Sequence, residues 1–434
     1  MDDFLAARIQ MATSLGFHII FACIGMAMPF MMAASHALWI KTGKEVYLSL
    51  TKAWSKGVAI FFAVGAVSGT ALSFELGLLW PGFMEHAGGI IGMPFSWEGT
   101  AFFVEAIALG LFLYGWDKLA PWVHWTCGLI VGISGLASGF FVVCANAWMN
   151  APQGFEWVNG QAINVDPWAA MFNERYVNMG IHMLIAAFQA TGFAVAGLHS
   201  YRLLKGKSPE LHREARNIAL IFGALASLVQ PIAGDILAKE TAQTQPLKLA
   251  AMESHFKTEK GASLIIGGWP DVEAEETRYA IKIPYALSFL AYGDFNAEVK
   301  GLEEFPKEEW PPVVPTHIAF QIMVGIGTFL AALGAISLFF YFRRRSLLQS
   351  PLFLKVLTAS TPLGFIAVEA GWCVTELGRQ PWIIYGVMKT RDALSPMPGL
   401  WVPMMLFFVV YLFLAVILVW LMARHVKVLE ETHP

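Results

Sequence analysis

Apolar residues fall into nine long blocks, near 13–40, 57–80, 95–116, 122–148, 179–201, 217–237, 316–342, 353–375 and 400–423. A helix crosses the hydrocarbon core of a bilayer with about 20 apolar residues, and longer blocks cross with some tilt. The pattern predicts an all-α integral membrane protein of nine spans. The block near 217–237 is the weakest, because Gln230, Pro231 and Asp235 fall near its end. Between the sixth and seventh blocks lies a stretch, 238–314, with both charge signs, several prolines and no apolar run long enough to span. It is far longer than an ordinary connection, which predicts either function or disorder. The chain therefore divides into spans 1–6 over 1–237, a loop over 238–314, and spans 7–9 over 315–434. No pair of broken helices recurs in two halves, as transporter repeats would require.

Composition agrees. The 434 residues are 56% hydrophobic and 14% charged, against about 25% charged in a soluble chain, and the mean hydropathy is +0.56. A net charge of −3 gives no reason to expect nucleic acid. One set of connections carries Lys41, Lys44, Lys52, Lys56, Lys118, Arg202, Lys205, Lys207, Arg213, Arg216, Arg343, Arg344, Arg345 and Lys355, with Arg424 and Lys427 in the tail. Leaving out the long loop, the opposite set holds only Arg8, Arg175, Arg379, Lys389 and Arg391. By the positive-inside rule the first set is cytoplasmic, which places the N-terminus and the 238–314 loop outside and the C-terminus inside. The tryptophans gather near span ends, as an interfacial belt does. Cys23, Cys127, Cys144 and Cys373 sit in apolar runs with no CxxC or CxxCH, so buried structural thiols are expected. The first ten residues lack a basic region before a short apolar core, so no cleavable signal is read there.

Ionisable groups in hydrocarbon are costly and point to function. They include His18, Glu75, Glu98, Glu105, His182, Glu369 and Glu376. With the orientation above, His18, His182, Glu376 and Met323 share the outer half of the membrane. Singly, each has a plain structural reading: a histidine bonded to a neighbouring helix, or a methionine filling a gap. A shared depth is harder to explain that way. His36, His124 and His199 lie at cytoplasmic ends, where interfacial placement suffices. Glu98 and Glu105 are two helical turns apart on one face, an arrangement suited to proton relay. His with Met can hold haem iron from opposite faces and suits electron transfer, whereas an iron with one strong protein ligand leaves a position open for dioxygen.

Several motifs occur in one order: RIQMATSLGFHIIFACIGMAMP from Arg8, SWEGTAFFVEAIALGLFLYGWDKL at 96–119, QPLKLAAMES at 245–254, FQIMVGIG at 320–327 and TELGRQPW at 375–382. Over essentially its whole length the chain resembles subunit I of the cytochrome bd-type terminal oxidases. The resemblance implies a quinol:O2 oxidoreductase of the bacterial cytoplasmic membrane, generating proton motive force by charge separation without pumping. His182 and Met323 match the axial pair of a low-spin haem b. His18 and Glu376 match ligands of the two distal haems, a high-spin haem b and either haem d or a third haem b; which residue serves which is left open. Trp372 and Arg379 flank that site, with Arg379 suited to a haem propionate. Glu98 and Glu105 match the glutamates of a proton path, with Ser138 and Asn146 as polar members on span 4. Lys248 and Glu253 match the quinol-binding residues of an external loop, here in the short form of the cyanide-insensitive branch. Gln321 stands where well-known members carry Arg, and loss of that cation should lower the potential of the low-spin haem. The implied partners are a second large membrane subunit, subunit II, and a single-span small subunit, besides quinol, O2 and the lipid bilayer. Two other classes account for fewer of these residues. A secondary transporter accounts for Glu98 and Glu105 but not for His182 with Met323, and a haem-free structural subunit leaves the histidines without a role.

Overall fold

The computed structural model describes residues 2–158 and 160–432. The chain begins with four long helices: α1 (Asp3–Thr42), α2 (Glu45–Leu79), α3 (Pro81–Tyr114) and α4 (Pro121–Asn150). A hairpin of β1 (Glu156–Val158) and β2 (Gln161–Ile163) and a short α5 (Pro167–Met171) lead to α6 (Tyr176–Leu204) and α7 (Pro209–Thr244). Proline opens α3, α4, α5 and α7, where its missing N–H costs nothing. Asp166 caps α5 by accepting from the Trp168 and Ala169 amides.

The segment after α7 is folded. It contains α8 (Pro246–Glu253) and then β3 (Glu259–Lys260), β4 (Leu264–Ile266), β5 (Trp269–Asp271), β6 (Glu276–Arg278) and β7 (Ile281–Ile283). It closes with α9 (Ala286–Tyr292) and β8 (Glu298–Val299). The strands pair antiparallel as β3–β8, β4–β7 and β5–β6. Two small cores hold the segment together. Ala242, Leu249, Ala262, Leu287, Ala291 and Val299 form one, and Leu247, Ala250, Ala251, Phe256, Leu302 and Val313 form the other. The stretch is thus built of regular elements with cores of their own.

The chain returns to the bundle with α10 (Val313–Arg343), α11 (Pro351–Ala359) and α12 (Leu363–Leu377), passes a β9 (Trp382–Ile384) and β10 (Met388–Lys389) hairpin, and ends in α13 (Trp401–Thr432). Among the described residues nine spans are long and apolar enough to cross a membrane, with α11 and α12 together forming the eighth. Each predicted block lies in one of them. The helices run on beyond the apolar blocks, however. The helix α3 starts at Pro81 rather than near 95, so Glu98 lies in mid-helix. The weak sixth block belongs to a continuous α7 that carries Pro231 and absorbs residues 238–244.

Connections alternate between two ends of the bundle. The end that carries the first residues, called here the N face, also carries the 245–312 segment and the β9–β10 hairpin. Contacts join these parts: the Asp3 carboxylate accepts from the Gly399 and Leu400 amides, the Ser395 amide donates to Leu79 O, and the Tyr385 amide to Met149 O. At the opposite end Arg216 donates to Leu348 O and Tyr47 to Glu214. Two expectations change. Cys373 is exposed, on a helix side rather than in the core. His36, His124 and His199 are buried among aromatic rings instead of lying at an interface: His36 packs on Trp39, Phe112 and His124, and His199 bonds His212.

Candidate functional site

The helix α12 packs against both α6 and α10, and so lies beside the two helices that bring His182 and Met323. His182 follows the start of α6, with the Gln230 amide nitrogen of α7 3.2 Å from Nε2. Met323, on α10, faces a glycine: a Cβ on Gly371 would lie 3.0 Å from its sulfur. The absence of a side chain at 371 lets α12 approach the thioether closely.

His18 is fixed by α2. Its Nδ1 pairs with Ser68 Oγ at 2.9 Å, and Ser68 in turn donates to Val64 O. A Cβ on Gly69 would lie 2.9 Å from the ring, so α2 approaches this histidine as closely as glycine allows. On the same face of α1, Gln10 and Ser14 meet Glu75 of α2 and Tyr411 of α13, all buried.

Glu376 ends α12. One carboxylate oxygen accepts from the Asn146 amide and the other from Arg379, both at 2.6 Å. Arg379 is 2% exposed, yet among the described residues its Nε and other terminal nitrogen have no acceptor, and neither has the indole N–H of Trp372. Two turns earlier on the same face of α12, Glu369 lies 3.1 Å from the position of a Cβ on Gly16 of α1.

The expected proton-path residues divide between two places. Ser138 of α4 donates to Glu98 of α3 at 3.4 Å. Glu105, buried, lies against Gly135 of the same α4, where α1 also approaches through the Gly25 carbonyl. Asn146 stands two turns further along α4 and is spent on Glu376, not on Glu98.

In the 245–312 segment Lys248 does not point to solvent. It is 5% exposed, and its ammonium donates to Asn150 Oδ1 at 3.1 Å and to Thr375 O at 3.2 Å. Burial, with the Arg175 and Arg379 cations nearby, holds its pKa well below the ordinary lysine value. Glu253 is 4% exposed with one oxygen unbonded, and burial pushes it up to about 8. Two side chains of α10 clasp the segment. His317 pairs with the Met252 and Gly267 carbonyls, and Gln321 accepts from the Gly267 amide and donates to Ile265 O.

The family model described as cytochrome bd terminal oxidase subunit I matches residues 6–429. This chain belongs to that family. The solved bd oxidase from Geobacillus thermodenitrificans superposes with a TM-score of 0.93 at 38% identity, covering 98% of both chains. The cytochrome bd ubiquinol oxidase subunit 1 of Bacillus subtilis is 34% identical over 98% of this chain and 94% of its own length. The cytochrome bd-II ubiquinol oxidase subunit 1 of Escherichia coli is 27% identical over 90% and 89%. The chain is accordingly a multi-pass protein of the bacterial cytoplasmic membrane and the subunit I of a bd-type terminal oxidase, an enzyme of the quinol:O2 oxidoreductase class.

A bd-type subunit implies haem, and the residues present fit it. Imidazole and thioether are suitable iron donors, and the buried guanidinium N–H groups of Arg379 suit an anionic acceptor such as a propionate. Four residues of this region carried no motif signal: Gln230 beside His182, Arg175, Asn150, and His317 under the 245–312 segment. In the sequence Arg175 is only one basic residue of a connection. It is buried, donates to Thr241, Thr244 and Gln245, and ties α6 to the start of the segment.

Proposed function

We propose that this bd-type subunit oxidises quinol at its N face and reduces O2 to water with three haems. One is a low-spin haem b held by His182 and Met323. The others are a high-spin haem b and a haem d or third haem b, ligated by His18 and Glu376. The observation that carries the reading is the contact of Lys248 with the Thr375 carbonyl, which sets the quinol segment against the residue next to Glu376. Bound haem would supply electron transfer and oxygen reduction; the protein's own groups handle substrate and protons. Quinol gives up two electrons and two protons. Glu253, with its free oxygen, accepts a proton from the quinol hydroxyl, and Lys248 orients a quinol oxygen with the ammonium proton left over from its two protein bonds. Protons for water formation reach the distal site through Glu105, Ser138 and Glu98, and Arg379 pairs with Glu376 while its remaining N–H groups would hold a propionate. With the N face outside, protons are released there and taken up from the cytoplasm, so each turnover separates charge without a pump. One charge moved against 100 mV is worth about 2.3 kcal/mol. Subunit II and a single-span small subunit complete the assembly.

Glu105→Gln tests the proton arm. In the purified complex we expect oxygen reduction to slow by at least about tenfold, in line with loss of a relay group, while quinol reduces the low-spin haem at the wild-type rate. Wild-type rates in both steps would remove Glu105 from the path.

A further inference from the structure

The quinol segment and the Glu376 site are joined by a continuous chain of hydrogen bonds through Asn150, the last residue of α4. Asn150 is 2% exposed. Its side-chain oxygen accepts from Lys248 at 3.1 Å, and its side-chain nitrogen donates to Asn146 O at 2.9 Å and Asn146 Oδ1 at 3.2 Å. Asn146 then donates to Glu376 at 2.6 Å. The backbone of Asn150 is held as well: its carbonyl accepts from Gln245 at 2.9 Å, and Gln245 accepts from Arg175 at 2.9 Å.

A carboxamide is the right group for this place, because it presents an acceptor and a donor on one rigid plane. The acceptor meets a buried ammonium that needs partners. The donor orients Asn146, so that the Asn146 nitrogen is left to face the carboxylate. An aliphatic residue of equal size would strand Lys248 with one acceptor and free Asn146 to turn. An aspartate would keep the bond to Lys248 and lose the donor to Asn146.

We infer that Asn150 is a positioning residue that couples the quinol-side Lys248 to the Glu376 carboxylate, so that occupation of the quinol site is felt at the distal haem. The inference rests on the proposed roles of Lys248 and Glu376. A ligand that draws Lys248 toward itself alters the pull on Asn150, and through Asn146 the field at Glu376.

The experiment uses the purified complex with its partner subunit and an alkyl hydroxyquinoline N-oxide as a non-oxidisable quinol analogue. Its readout is the magnetic circular dichroism of the high-spin haems with and without the analogue. In wild type the analogue should shift the high-spin signal. In Asn150→Leu the shift should vanish and the KM for quinol should rise about tenfold, as for a lost charge-assisted hydrogen bond. In Asn150→Asp the KM should stay near wild type while the shift is lost. A wild-type complex that carries its haems and oxidises quinol, but whose high-spin signal ignores the analogue, would overturn the coupling, and this needs no variant. Variants that lose haem uniformly while keeping wild-type KM and an intact shift per haem would also overturn it, leaving Asn150 as a helix end alone. Absence of haem from the wild-type complex would instead defeat the underlying functional reading.

Discussion

Glu253 shows what a single residue contributes. It lies outside the spans, buried, with one oxygen unbonded, and its pKa is pushed up to about 8 by burial. A proton acceptor must be ionised, so quinol oxidation should rise with pH through about 8, and Glu253→Gln should flatten that limb in a pH profile of quinol-driven oxygen uptake. The stability linkage has the opposite sense. A carboxyl raised in the fold contributes stability that is complete below its unfolded pKa and lost as pH climbs through about 8, so Glu253→Gln should gain on wild type in thermal unfolding above that pH. His18 gives a second test. Gly69→Ala would drive a Cβ to 2.9 Å from a ring already held by Ser68, and we expect loss of the haem bound there by pyridine haemochrome assay. Gly25→Ala, with nothing within 4 Å, should retain full haem content. At this scale the motifs single out His18, Lys248, Glu253, Met323 and Glu376, because each stands in a recognisable string; His182 stands in none of them. Asn150 and Gln230 were invisible: their partners lie 98 and 48 positions away, and no local pattern marks an amide that bonds across the fold.

Elements were legible where their signal is long. Nine apolar blocks became nine spans, since a helix in lipid must bury its own backbone polar groups and cannot be short. Helix ends were less legible, because charged turns such as those at the start of α7 continue the helix outside the apolar stretch. The segment after α7 was least legible of all. Its strands are two or three residues long, too short for a period of two to show, and its order comes from two small cores and from α10. That dependence is testable. Gln321 contributes two hydrogen bonds to the segment, each worth about 1 kcal/mol. Gln321→Leu should speed amide exchange at 264–268 and raise the KM for quinol. Unchanged exchange would show that the clasp holds through His317 alone.

For the whole molecule, the decisive matters are which way it sits and what it carries. The distribution of basic residues predicts the N face outside. Tyr279, 94% exposed in the 245–312 segment, offers a reporter: Tyr279→Cys should react with an impermeant maleimide in intact cells, and labelling only after lysis would invert the orientation and the direction of charge separation. Function at this scale rests on haem. The most direct measurement is the reduced-minus-oxidised optical spectrum of the complex, purified with its partner subunit, for wild type and His182→Ala. The account predicts bands of low-spin and high-spin haem in wild type, with only the low-spin band lost in the variant. An intact wild-type complex with no haem bands, or a variant with an unaltered low-spin band, would contradict it.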